Sequence, residues 1–130
     1  MRVVVVDDDA DVLAEFLAFL LEAGLDAHAL GNGKAALAFI ESDPSVTVLL
    51  TDLSMPDMDG LDLAARVRAI RPDFLAVEAI ILTGRREIRD VGDGAFQILQ
   101  KPIKLDLLLA VLDRAHRAAM TRRQNCCHQN

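Results

Sequence analysis

Four short, almost unbroken apolar runs constrain this chain more than any other feature: residues 3–6 (VVVV), 46–50 (VTVLL), 79–82 (AIIL) and 98–99 (IL). Most of their residues are β-branched, stiff at χ1 and suited to a pleated strand. A strand with one face in water alternates apolar and polar positions, whereas a strand covered on both faces has no need to. The runs therefore predict strands buried on both sides of a parallel sheet, with a fifth, weaker strand over 27–30.

Helical patterns fill the intervals. Residues 12–23 carry Val12, Phe16, Phe19 and Leu20 at helical spacing and stop at Gly24, a good C-terminal cap. Shorter helices are expected over 34–41 and 60–70. A longer one is expected over 104–119, striped by Leu105, Leu108, Leu109 and Leu112. Strand and helix alternate, and right-handed crossovers then give an α/β fold: an open, doubly wound, five-stranded parallel sheet with helices on both faces. The domain is expected over residues 1–121, with a flexible C-terminal tail over 122–130.

Composition narrows the function. At 130 residues and 52% hydrophobic, the chain suits one domain with one sizeable core. Lys and Arg number 14 against 20 Asp and Glu, a net charge of −6. That balance argues against a free-standing nucleic-acid binder, which needs a basic face. No apolar run approaches membrane-spanning length, and the start is too short and too acidic for a secretory signal. Cys126 and Cys127 are adjacent and unsuited to a disulfide framework, and with His128 they read as a frayed end rather than a metal site. A reduced, cytoplasmic protein is expected.

The acid is unevenly spread. Of 15 Asp, Asp7, Asp8, Asp9 and Asp11 form one stretch and Asp52, Asp57, Asp59 and Asp62 another, while Glu numbers only 5. Clustered Asp suggests loop ends, caps or a site, whereas acid spread for solubility is usually Glu on helix faces. In an open parallel sheet, sites form beyond the carboxyl ends of the strands. There the chain places Asp7-Asp8-Asp9, Thr51-Asp52, Thr83-Gly84 and Lys101-Pro102. Three carboxylates about 5 Å apart repel by roughly 3 kcal/mol per pair at an effective dielectric near 20. A hard divalent cation with oxygen ligands resolves that conflict, and Mg²⁺ suits carboxylates, a carbonyl and waters. With a Lys and a Thr hydroxyl alongside, the set is a phosphoryl-handling arrangement in which an Asp can itself be the nucleophile.

The segments VVVVDDDADV, GLDAHALGNGKAAL, LLTDLSMPDMDGLDL, AIILTG and LQKPI, in this order and spacing, resemble a two-component response-regulator receiver domain over about residues 1–120. The resemblance implies a flavodoxin-like (βα)5 fold. It implies that Asp52 accepts a phosphoryl group from a histidine kinase or histidine phosphotransfer protein and then hydrolyses it, self-catalysis rather than enzymatic turnover. Asp8 and Asp52 would ligate Mg²⁺ with the Ser54 backbone carbonyl, and Asp7 would hold the metal's water. Thr83 and Lys101 would contact the phosphoryl group, and Pro102 would follow a cis peptide bond. A downstream output protein or domain is implied, and a homodimer is compatible.

The remaining acids and bases read as structural. Asp9 and Asp11 suit the cap and first turn of the first helix, and Asp57 and Asp59 the loop after Asp52, with Asp59 capping the helix that Gly60 opens. His28 and His116 read as ordinary strand and helix residues. Arg114, Arg117, Arg122 and Arg123 read as partners of a helix dipole.

Two departures from the family pattern stand out. Ile98 occupies the position, three before the Lys, where receivers carry an aromatic residue. Phe96 should share its face and could take over the readout. Only 17 residues separate Thr83 from Lys101, so a short or irregular fourth helix is expected over 84–94. Two rivals follow: a receiver-like docking module that no longer switches, and a Mg²⁺-dependent phosphatase with an Asp nucleophile. Against the phosphatase, Ser54 stands where such an enzyme places its second Asp.

Overall fold

The structure, a computed structural model, describes residues 1–84 and 96–128. The helix expected over 84–94 falls almost wholly outside them. The strands are β1 (Arg2–Val6), β2 (Asp26–Leu30), β3 (Val46–Asp52), β4 (Glu78–Thr83) and β5 (Gln97–Gln100). The described helices are α1 (Ala10–Glu22), α2 (Gly33–Ser42), α3 (Gly60–Ile70), a one-turn 3₁₀ helix (Asp73–Leu75) and the final α4 (Leu105–His128). All strand pairings are parallel, in the order β2-β1-β3-β4-β5. The order reverses between β1 and β3, the place where an open sheet leaves a crevice at its carboxyl edge.

The continuous apolar runs have the cause inferred for them. Val4, Val6, Leu49 and Ile81 pack against Ile40 of α2 and Leu63 and Val67 of α3. Val3, Val5, Leu50, Ile80 and Leu82 pack on the other face against Leu20 of α1 and Leu108 and Leu112 of α4. Neighbouring strand residues thus serve opposite cores. One irregularity lies between β1 and β3, where Arg2 pairs with Val46 but Val3 with Val48. Thr47 is the extra residue, and its hydroxyl lies 2.8 Å from Nδ1 of His116 on α4. His116 is therefore a bonded interface residue, and burial pushes its pKa down.

Local signals place the helix ends. Asp9 caps α1 by accepting from the N–H groups of Asp11 and Val12. Gly24, at φ +86°, turns the chain out of α1 in the left-handed region where a Cβ is strained.

The end of the chain differs from expectation. α4 does not stop at residue 119; it continues to His128. Arg122 and Arg123 do not serve the helix dipole but fasten this extension to the sheet's amino edge. Arg122 pairs with Asp73 and Glu78 at 3.0 Å each, and Arg123 donates to the carbonyls of Ala76 and Val46. Arg71, 8% exposed, donates from Nε to Leu75, from Nη1 to Ile40 and Asp43, and from Nη2 to Pro44 and Val46, all backbone carbonyls. One guanidinium thereby ties the ends of α2 and α3, the start of β3 and the 3₁₀ turn.

Candidate functional site

The topology carries Asp7 past the end of β1 and sets Asp52 as the last residue of the adjacent β3. One carboxylate oxygen from each of Asp7, Asp8 and Asp52 falls within 4.8 Å of the others. Asp7 is 4% exposed, Asp52 half-buried and Asp8 open to solvent. Burial pushes the Asp7 carboxyl above its usual range, opposed by a bond from the Asp9 N–H at 2.9 Å, while Asp52 pushes it up and Lys101 draws it down.

Lys101 supplies the counter-charge. It follows β5, its N–H donates to the Thr83 carbonyl at 2.7 Å, and its peptide bond to Pro102 is cis. The ammonium lies 2.9 Å from Oδ1 of Asp52 and 3.9 Å from Oδ2 of Asp7. Thr83, buried at the end of β4, joins the same edge, and Ser54 is exposed two residues beyond Asp52. Three carboxylates with one ammonium retain a net negative charge, and all donors in the cluster are hard oxygens. That chemistry fits a hard divalent cation and offers nothing to a thiophilic one.

The loop after Asp52 is closely built. The Leu53 N–H donates to the Leu82 carbonyl and the Gly60 N–H to the Leu53 carbonyl, both at 2.8 Å. A Cβ on Gly60 would sit 2.5 Å from the Asp52 carbonyl oxygen, so only glycine lets α3 start this close to Asp52. Asp59 caps α3 through the Asp62 N–H at 2.7 Å, as the sequence indicated. Asp57 was read only as a loop residue; its carboxylate reaches across to the first N–H groups of α2. No sequence pattern pairs it with that helix, whose start lies 24 residues earlier.

Beside the site, α1 and the segment after Lys101 enclose an apolar groove of about 590 Å³, lined among others by Phe16, Phe19, Pro102 and Leu105, with Lys101 at its edge.

The sequence model of the response regulator receiver domain matches residues 3–113. The chain belongs to that family. Receiver domains are the phosphoacceptor signalling modules of two-component systems, and this receiver has their fold. It is 30% identical over 117 residues to the DNA-binding transcriptional regulator NtrC of Azospirillum brasilense, covering 87% of this chain and 24% of that protein. It is 31% identical, again over 117 residues, to the C4-dicarboxylate transport transcriptional regulatory protein DctD of Rhizobium meliloti, covering 87% and 25%. The receiver thus spans about a quarter of the length of these relatives. Among solved structures, a response regulator receiver domain protein from Clostridium thermocellum superposes with a TM-score of 0.78 at 24% identity, covering 96% of this chain and 98% of that one. FixJ-N does so with 0.74 at 27%, covering 89% and 93%. Among the described residues, no helix is long and apolar enough to cross a membrane.

Proposed function

We propose that Asp52 is the phosphoacceptor, taking its phosphoryl group from the phosphohistidine of a histidine kinase or histidine phosphotransfer protein in a Mg²⁺-dependent reaction. The observation that carries this reading is the Lys101 ammonium, 2.9 Å from the Asp52 carboxylate inside a cluster of three acids. A random strand-end Asp has no such counter-charge.

A bound Mg²⁺, held by the carboxylates of Asp8 and Asp52 and the Ser54 backbone carbonyl with Asp7 on its water, would neutralise charge on the phosphoryl oxygens. A carboxylate oxygen of Asp52 forms the O–P bond as the P–N bond of the phosphohistidine breaks, the electron pair staying on the imidazole nitrogen. The Lys101 ammonium then pairs with a phosphoryl oxygen in place of the carboxylate it holds at rest, and the Thr83 hydroxyl donates to another. Water attacking phosphorus restores the carboxylate and releases inorganic phosphate. The acyl phosphate is thus made and lost on the chain itself, with no turnover of an outside substrate. The donor docks by an amphipathic helix in the apolar groove between α1 and Pro102, since Lys101 borders both that groove and Asp52. Phosphorylation changes affinity for an output protein or domain, in the cytoplasm.

Intact mass after incubation with Mg²⁺ and a small phosphodonor such as phosphoramidate tests this. One phosphoryl group should add to the native chain and none to Asp52→Ala. No adduct on the native chain, or an equal adduct on the variant, overturns the assignment.

A further inference from the structure

Helix α2 begins with three N–H groups that have no partner within the helix. The Asn32 side chain accepts from the Ala35 N–H at 2.8 Å, the usual capping bond. The other two are taken by Asp57, whose Oδ1 and Oδ2 accept from the Gly33 and Lys34 N–H groups at 3.5 and 3.3 Å. Asp57 does not cap its own helix; it caps one in another part of the chain. Next to it Met58, 7% exposed, is driven into the core under α2, where a Cβ on Gly33 would stand 3.1 Å from the Met58 Cβ and Sδ. The loop is therefore seated on α2 twice, by an apolar anchor beneath and a charged one at the rim.

That loop leaves Asp52, carries Ser54 and returns to Gly60. Its near end is fixed by the backbone bonds of Leu53 and Gly60. Between those bonds, Asp57 and Met58 hold it to the first turn of α2. We infer that Asp57 is a positioning residue for the metal site: by holding the loop against the first turn of α2 it sets the Ser54 carbonyl, and it couples cation binding to order at Gly33 and Lys34. The inference rests on the reading of Asp8, Asp52 and Ser54 as metal ligands. Coupling of this kind is reciprocal, so a cation that orders the loop must also protect the two amides.

Calorimetric titration with Mg²⁺ and amide hydrogen exchange test it, on the native chain, Asp57→Ala, Asp57→Asn and, as a control, Asp113→Ala, which removes an acid paired with Arg117 on the exposed side of α4. Asp57→Ala should bind Mg²⁺ about threefold to tenfold more weakly, the effect of one or two lost hydrogen bonds. Asp57→Asn keeps one of the two acceptor oxygens without the charge and should bind between the native chain and Asp57→Ala. The native chain should show slower exchange at Gly33 and Lys34 when Mg²⁺ is added, and Asp57→Ala should not. Equal losses in Asp57→Asn and Asp57→Ala would mean that charge alone acts, and would overturn positioning. So would Asp57→Ala binding within twofold of native, or Mg²⁺ leaving both amides unchanged in the native chain. A native chain that binds no Mg²⁺ instead overturns the metal reading, and this inference with it.

Discussion

Lys101 offers the sharpest test of the site because its removal should move two properties in opposite directions. In Lys101→Met the hydrocarbon stem is largely kept and the ammonium is lost. That ammonium stands 2.9 Å from Asp52 and 3.9 Å from Asp7, and its side chain is 33% exposed. Coulomb attraction at the shorter distance runs from about 1.4 kcal/mol in water to about 6 at an effective dielectric of 20. Partial exposure selects the lower part of that range, about 1.5–3 kcal/mol gross, of which desolvation and side-chain entropy leave about 1 kcal/mol net. Without metal, the variant should therefore be about 1 kcal/mol less stable, since three acids lose their counter-charge. With metal the sign reverses: Lys101 and Mg²⁺ compete for the same carboxylates, and Lys101→Met should bind Mg²⁺ about tenfold more tightly. The chain has no Trp or Tyr, so urea unfolding is followed by far-UV circular dichroism and binding by calorimetry. Unchanged or weaker Mg²⁺ binding by a folded Lys101→Met would refute the electrostatic account.

Gly60→Ala should cost about 2 kcal/mol in urea unfolding and slow phosphoryl acceptance, because its Cβ would displace α3 from the Asp52 carbonyl. Arg71→Lys has at most three donors for five carbonyls and should lose about 2–4 kcal/mol, a fall in Tm of roughly 10 °C by thermal melt. Burial holds the His116 imidazole below its ordinary value near 6.5, so the unfolded chain binds more protons and stability falls as pH drops through about 6.5. Urea midpoints from pH 7.5 to 5 should decline less in His116→Gln than in the native chain. Phe96 lies under the Arg68 guanidinium, 5.4 Å from ring centre to Cζ, and packs on the same core as Ile98. A phosphoryl mimic should shift the Phe96 ring resonances, and a ring and backbone that stay put would remove Phe96 as the readout.

What the sequence disclosed and what it withheld have a common cause. Continuous Val, Ile and Leu runs mark strands covered twice, because only burial on both faces removes the polar alternation. Asp9, Gly24 and Asp59 each act within three residues of their own position, so their roles are legible locally. The acids and Lys101 were legible because parallel topology sends every strand end to one edge. Arg71, Asp57, Arg122 and Arg123 were not. Arg71, Asp57 and Arg123 bond backbone groups, which every residue carries, and Arg122 pairs with acids 44 and 49 positions away. A guanidinium at a helix end looks the same in sequence whether it faces water or knots a buried edge. The bulge at Thr47 was equally silent, and with it the partner of His116.

The clamp on Val46 has a mechanical consequence. Its carbonyl receives both Arg71 and Arg123, so α4 is fastened near its far end to the edge of the sheet remote from Asp52. From Leu105 to Arg123 is roughly 27 Å at 1.5 Å per residue. Leu108 and Leu112 seat the first turns of the same helix in the core, so α4 is held at its far end by charge and at its near end by packing. Over that length, a tilt of about two degrees about Val46 would carry the first turn of α4 through nearly 1 Å, against the packing of Leu108 and Leu112.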